Sequence, residues 1–168
     1  MTEIPKSCCH CSQDKNAPSI SDGLVAWFTH CHRKCDELWS EVESATEADD
    51  PALLVRTVGE FSAATQSHFD IEEQELFPRF ESATGMRMGP TVVMRQEHGQ
   101  MRSILAMIES AAAAGDAETV LEQGDTLLLL TQQHNSKEEQ VLYPLSAQAL
   151  GNQWEELHAC VTSPDTGV

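Results

Sequence analysis

The chain is 168 residues long, enough for one compact domain with a buried core, and sets 27 acidic against ten basic side chains for a formal charge of −17. That charge opposes a phosphate backbone and an anionic bilayer surface, so neither nucleic acid nor membrane is expected as a direct partner. No stretch approaches the roughly 18 consecutive apolar residues of a span, and Met1 to Lys6 lack the basic and apolar regions of a secretion signal, which points to a cytoplasmic protein.

Residues 1–20 contain Pro5, Pro18 and the cluster Cys8, Cys9, His10, Cys11, and read as an irregular Cys-rich leader. Three thiols and an imidazole in four residues are too crowded to chelate one ion unaided. Cys8, Cys9 and Cys11 therefore form a candidate separate thiol site, either a redox sensor or a centre completed by Cys31 or His30.

From Ser21 the apolar residues Val25, Phe28, Cys35, Trp39 and Val42 fall at spacings of three and four, and His32 fills the gap in that stripe. His30 lies about 200° around the same helix and reads as a surface residue, joining the candidate ligands only if the register of this helix shifts. Asp50-Pro51 is a cap followed by proline at the first helical position, opening a second helix whose inner stripe is Val58, Phe61, Thr65, His68, Glu72 and Leu76. Pro90 opens a third, with Met94, His98, Met101, Leu105 and Ile108 inward. A fourth begins near Asp116, tolerates Gly124 at some cost, and turns Leu127, Thr131, His134, Glu138, Val141 and Leu145 to one face. Residues 151–168 are a tail with a candidate short helix through Trp154, Leu157 and Cys160. Strand alternation is missing throughout, so the expected fold is all-α, an up-down-up-down antiparallel four-helix bundle over residues 21–150.

One phrase occurs twice: His68-Phe-Asp-Ile-Glu72-Glu73-Gln-Glu-Leu76-Phe77-Pro78 and His134-Asn-Ser-Lys-Glu138-Glu139-Gln-Val-Leu142-Tyr143-Pro144. Residues four apart on a helix stand about 5 to 6 Å apart between Cβ atoms, so each His-Glu pair can chelate from one surface. His32 precedes His68 by 36 residues and His98 precedes His134 by 36, which would set the four histidines at matching heights. Four imidazoles and two carboxylates buried together carry a desolvation penalty of several kcal/mol per charge, and a metal relieves it. Nitrogen with carboxylate suits iron, manganese or zinc, and six donors exceed one tetrahedral zinc. Two octahedral ions bridged by Glu72 and Glu138 use all six. Glu73, Glu75 and Glu139 lie beside the stripe and are expected to be solvated or to support the ligands rather than to bind the ions. Neutral imidazoles are needed for ligation, so metal loss is expected below about pH 6.

His32, His68-x-x-x-Glu72, His98 and His134-x-x-x-Glu138, with the doubled Leu-aromatic-Pro ending, resemble the hemerythrin-like, HHE cation-binding four-helix proteins across about residues 21–147. The resemblance implies a non-haem centre of two bridged irons, with histidines terminal, Glu72 and Glu138 bridging, and O2, NO or peroxide as the small ligand. Oxygen-carrying hemerythrins have a second histidine on the third helix, four residues after the first; Arg102 stands there, against reversible O2 storage. The Glu97-His98 pair looks like the iron-cluster repair and nitric-oxide-response branch, which implies Glu97 as a seventh donor. Three roles follow as expectations: a binding protein in sensing, scavenging or iron-cluster repair; an enzyme turning over peroxide or NO; or a metal-stiffened regulatory module with a thiol switch and a protein partner or second copy of the chain.

Overall fold

The computed structural model describes residues 15–48 and 50–162. Cys8, Cys9, His10 and Cys11, and so the thiol site expected there, lie outside the described residues.

Among the described residues every regular element is helical. A 3-10 turn at Ile20–Asp22 leads into α1 (Gly23–Glu47), with the Asp22 carboxylate accepting from the Ser19 amide at 2.7 Å and its hydroxyl at 2.6 Å. α2 (Pro51–Ile71) starts on Asp50, whose side chain accepts from the Ala52 and Leu53 amides, with Pro51 needing no partner for an amide it lacks. A π turn, Glu72–Leu76, carries α2 into α3 (Phe77–Thr84), which Gly85 ends in the left-handed conformation at φ 73°. α4 (Pro90–Ala113) follows. α5 (Ala117–Lys137), capped by Asp116 on the Thr119 amide, passes through a second π turn, Glu138–Leu142, into α6 (Tyr143–Leu150). A 3-10 turn at Gly151–Gln153 leads to α7 (Trp154–Thr162).

The doubled phrase is doubled in structure. Helix, π turn and helix run 21, 5 and 8 residues from Pro51, and again 21, 5 and 8 from Ala117. Each copy has its proline at the second position of the last helix. Pro78 and Pro144 have no amide hydrogen for the carbonyl four residues back, so both helices take up one extra residue there. The Phe77 amide reaches the Glu72 carbonyl and the Tyr143 amide the Glu138 carbonyl.

That extra residue shifts the inward face. Within and beyond the second π turn Val141 and Leu145 are exposed, and Leu142, Tyr143, Ser146 and Leu150 are buried instead. An unbroken period of 3.6 does not anticipate the exchange. In the first copy Leu76, Phe77 and Phe80 are all buried. α1 also differs from its expected stripe. Leu24, Trp27 and Cys31 are buried, with Val25 and Cys35 only half-buried, because α2 covers one flank of α1 and α6 and α7 cover the other. α7 faces inward through Trp154, Leu157 and Val161, leaving Cys160 exposed.

α1 packs on α2, α2 on α4, α4 on α5 and α1 on α6, so four long helical segments surround one interior. That interior holds two hydrophobic clusters. One gathers Trp27, Phe28, Leu76, Phe77, Phe80, Tyr143 and Leu157; the other gathers Trp39, Val58, Phe61, Met101, Leu105, Ile108 and Leu127. Each such side chain contributes roughly 1.5–3 kcal/mol by leaving water. Along α1, α4 and α5 the predicted histidine stands between the residues of one cluster and those of the other, and on α2 Phe69 of the second cluster lies just past His68. Within the second, the Trp39 indole packs edge-on to Phe61 at 5.1 Å and brings its Cζ2 and Cη2 edge up to Gly124.

Candidate metal centre

His32, His68, His98, His134, Glu72 and Glu138 are all buried, with both glutamates fully so. The structure gathers them into two donor groups: Glu72, His98, His134 and Glu138 in one, His32, His68 and Glu138 in the other, each with donor atoms within 4.8 Å of one another. Donors held about 2.1 Å from one octahedral ion stand about 3 Å apart when adjacent and about 4.2 Å when opposite, so both groups have the span of a coordination sphere.

The two carboxylates join the groups. Glu138 turns Oε1 to His134 Nε2 at 3.1 Å and Oε2 to His32 Nε2 at 3.2 Å. Glu72 Oε2 lies 3.4 Å from His98 Nε2 and 3.5 Å from His68 Nε2. His98 Nε2 faces His134 Nε2 at 3.0 Å.

The packing fits a cation better than hydrogen bonds. Glu72 Oε2 and Glu138 Oε1 are fully buried yet accept no hydrogen bond in spite of the nearby imidazole nitrogens. Left so, each would cost on the order of 1–3 kcal/mol or more. Both stand 3.1 to 3.5 Å from imidazole Nε2 atoms, which is how the residues present would hold a metal ion.

Three outer carboxylates fix the imidazoles from behind. His32 Nδ1 pairs with Glu139 at 2.7 Å, His98 Nδ1 with Glu73 at 2.8 Å and His134 Nδ1 with Glu97 at 2.9 Å. Each contact turns Nε2 inward, the arrangement that orients metal-bound histidines. Arg102 braces Glu73 at 2.8 Å and Asp70 at 2.8 Å, and Lys137 pairs with Glu97. Glu97, expected as a seventh donor, therefore belongs to neither donor group; its carboxylate is spent on the far nitrogen of His134 and on Lys137. His30 is half-buried and also belongs to neither group, since its position on α1 points it away from the stripe that carries His32. Glu75 pairs with Arg79.

Tyr143 is the site residue that sequence reasoning missed. It is the chain's single tyrosine, it is fully buried, and its hydroxyl oxygen lies 3.0 Å from His32 Nε2, 2.6 Å from Glu72 Oε1 and 2.9 Å from Glu138 Oε2. The visible signal was one of the differences between the two phrases, a phenylalanine, Phe77, in the first where the second has Tyr143. Phe77 stacks beside His98 at 5.8 Å and brings no polar atom.

Burial pulls the His32 and His98 imidazoles down, but the facing glutamates outweigh it and raise both to about 9. Burial pushes the Glu73 carboxyl up, and His98 with Arg102 overrides it, to about 2. Glu138 is lowered in the same sense by His134 and His32 against its burial. Burial, then Glu138 and Glu72, push the Tyr143 phenol well above its ordinary value. In the metal-free chain the two raised imidazoles stabilise the fold fully below their ordinary value of 6.5, and that contribution fades as pH rises through about 9. A metal must displace those protons. Affinity should therefore climb up to about tenfold per pH unit for each proton released, from pH 6 to 9, rather than simply failing below pH 6. Apparent dissociation constants at four pH values in that range test this, and a flat profile between 7 and 9 contradicts it.

A polar cleft of about 450 Å³ between α1 and α5 reaches the outer edge of His32 and Glu139, lined there by Arg33, Asp36, Thr131 and Asn135.

Four helical segments that turn imidazoles and carboxylates onto one interior define a metal-binding helical protein. The family profile described as the Hemerythrin HHE cation binding domain matches residues 23–146, and the chain belongs to that family. No curated protein and no solved structure gave a match. Among the described residues no helix is long and apolar enough to cross a membrane.

Proposed function

We propose that the chain is a non-haem diiron protein whose centre binds O2, NO or peroxide, in sensing, scavenging or iron-cluster repair. The observation that carries this reading is Glu138, one buried carboxylate with an oxygen in each of two donor groups, which is the placement of a bridge between two ions. His98 and His134 would hold one ion, His32 and His68 the other, and Glu72 would join Glu138 as second bridge. Manganese or zinc could be held by the same donors. When bound, iron supplies reversible electron transfer and open positions for a small ligand. The residues themselves orient the imidazoles through Glu73, Glu97 and Glu139, exclude water through the two hydrophobic clusters, and admit small ligands from the cleft beside His32.

Connections of a few residues between mutually packed long helices support the up-down-up-down, antiparallel order. The acidic surface supports a cytoplasmic protein without nucleic-acid or membrane partners, leaving a protein partner or a second copy as macromolecular contacts. Glu97, which bears the resemblance to the repair branch, is an orienting carboxylate in this arrangement, so binding of the small ligand is the core of the proposal and repair is one use of it.

The test is metal analysis of chain reconstituted anaerobically with Fe(II), with optical spectra before and after O2 and NO. Two irons per chain and a spectrum that responds to either gas are expected. A single tetrahedral zinc as the preferred load, or a spectrum indifferent to both gases, overturns the reading.

A further inference from the structure

We propose that the Tyr143 phenol oxygen is itself a metal ligand, on the ion held by His32 and His68, so that the two metal positions are chemically unlike. The inference rests on the diiron reading and deepens it.

The two donor groups are unequal. As the side chains stand, one gathers four donors and the other three, with Glu72 reaching the second only as a bridge. Tyr143 stands at the poorer one, its oxygen 3.0 Å from His32 Nε2 and 2.9 Å from Glu138 Oε2, both members of that group. Those are the separations of neighbouring ligands on one octahedral ion, about 3 Å for bonds of about 2.1 Å.

With both carboxylates ionised, one hydroxyl hydrogen cannot serve both oxygen contacts. The hydroxyl has one hydrogen to donate, yet its oxygen lies 2.6 Å from Glu72 Oε1 and 2.9 Å from Glu138 Oε2, and ionised carboxylates only accept. One donated bond leaves the other pair with lone pair against lone pair, in a place closed to water. A cation shared by the three oxygens removes that conflict, with the hydroxyl hydrogen leaving to solvent as a proton when the ion binds.

The neighbouring structure supplies the means. The π turn at Glu138–Leu142 makes Leu142 and Tyr143 both face inward, and Phe28 at 5.2 Å and His32 at 5.6 Å pack against the phenol ring. At the matching position of the other copy Phe77 has no oxygen, so only one ion gains this donor.

With a single tyrosine in the chain, any phenolate signal has one source. The full chain loaded with Fe(III) should show a phenolate-to-iron charge-transfer band in the visible, with resonance-enhanced phenol ring vibrations. Tyr143→Phe should lose both signals entirely and keep iron at the Glu72, His98, His134 and Glu138 position. Two irons per chain without the band, or a band that survives Tyr143→Phe, overturns the tyrosine ligand and leaves the diiron reading standing. Failure of the unmodified chain to hold iron at all sinks both. Tyr143→Phe removes one oxygen from a fully buried ring, and circular dichroism matching the unmodified protein establishes that lost signal is not lost fold.

Discussion

Glu138→Gln is expected to take the chain from two bound ions to fewer than one, whereas His68→Ala should leave one. Glu138 belongs to both donor groups and His68 to one. An amide keeps the volume of the carboxylate but offers neutral oxygen to one ion and a nitrogen with hydrogens to the other, so both positions are weakened by one substitution. The outer carboxylates give a graded comparison. Glu73→Gln leaves every donor in place and loosens only the hold on His98 Nδ1, for an expected loss of roughly 10- to 100-fold in affinity. Metal counts by elemental analysis, alongside thermal unfolding, read both effects. Bound metal at about 1,000 times its dissociation constant stabilises by about 4 kcal/mol, so Glu138→Gln should lose that increment while His68→Ala keeps part of it. Two ions retained by Glu138→Gln would falsify the shared bridge.

Gly124→Ala should be the most damaging small substitution away from the metals. Alanine in a helix interior ordinarily gains up to about 1 kcal/mol over glycine. At Gly124 the added Cβ would sit 2.1 Å from Trp39 Cζ2 and 2.2 Å from Cη2, inside the indole itself. Trp39 is buried and packed on Phe61, so the ring has no free space to retreat into. Overpacking of this kind costs about 3 kcal/mol, which reverses the sign and lowers the melting temperature by about 10 °C. Gly59 is the control. It is exposed on α2, a Cβ added there would meet nothing within 4 Å, and Gly59→Ala should raise stability by about 0.5–1 kcal/mol. Equal melting temperatures for the two variants would contradict the account of Trp39.

The inward placing of the six His and Glu positions and the all-helical class were legible because a helix face repeats every three or four residues, and three of the four segments that carry them have clear starts at Asp50-Pro51, Gly89-Pro90 and Asp116. The legible part stopped where the backbone left that period. Val141 and Leu145 read as inward and are exposed, because a five-residue turn at Glu138–Leu142 hands the inner face to Leu142 and Ser146. Tyr143 was lost for the same reason: a helix of constant pitch does not carry Glu138 and Tyr143 inward together. Pro78 and Pro144, six residues after each glutamate, were the written trace of that turn. The partners of the imidazoles were legible only in part. Glu73 and Glu139 were expected to be solvated or to support ligands, but Glu97 was placed among the donors, since which nitrogen of His134 it meets depends on how α4 and α5 rotate against each other, and spacing along one helix does not encode that.

The histidine and glutamate layer lies between most of the two apolar clusters, which meet it rather than each other. Apolar surfaces on either side attract their own kind, while the charged layer prefers water. Ions seated in that layer would act as a rivet, tying all four segments at their waist and making the two clusters melt as one body. A chain deprived of them would have a seam across its middle, and water would enter there first.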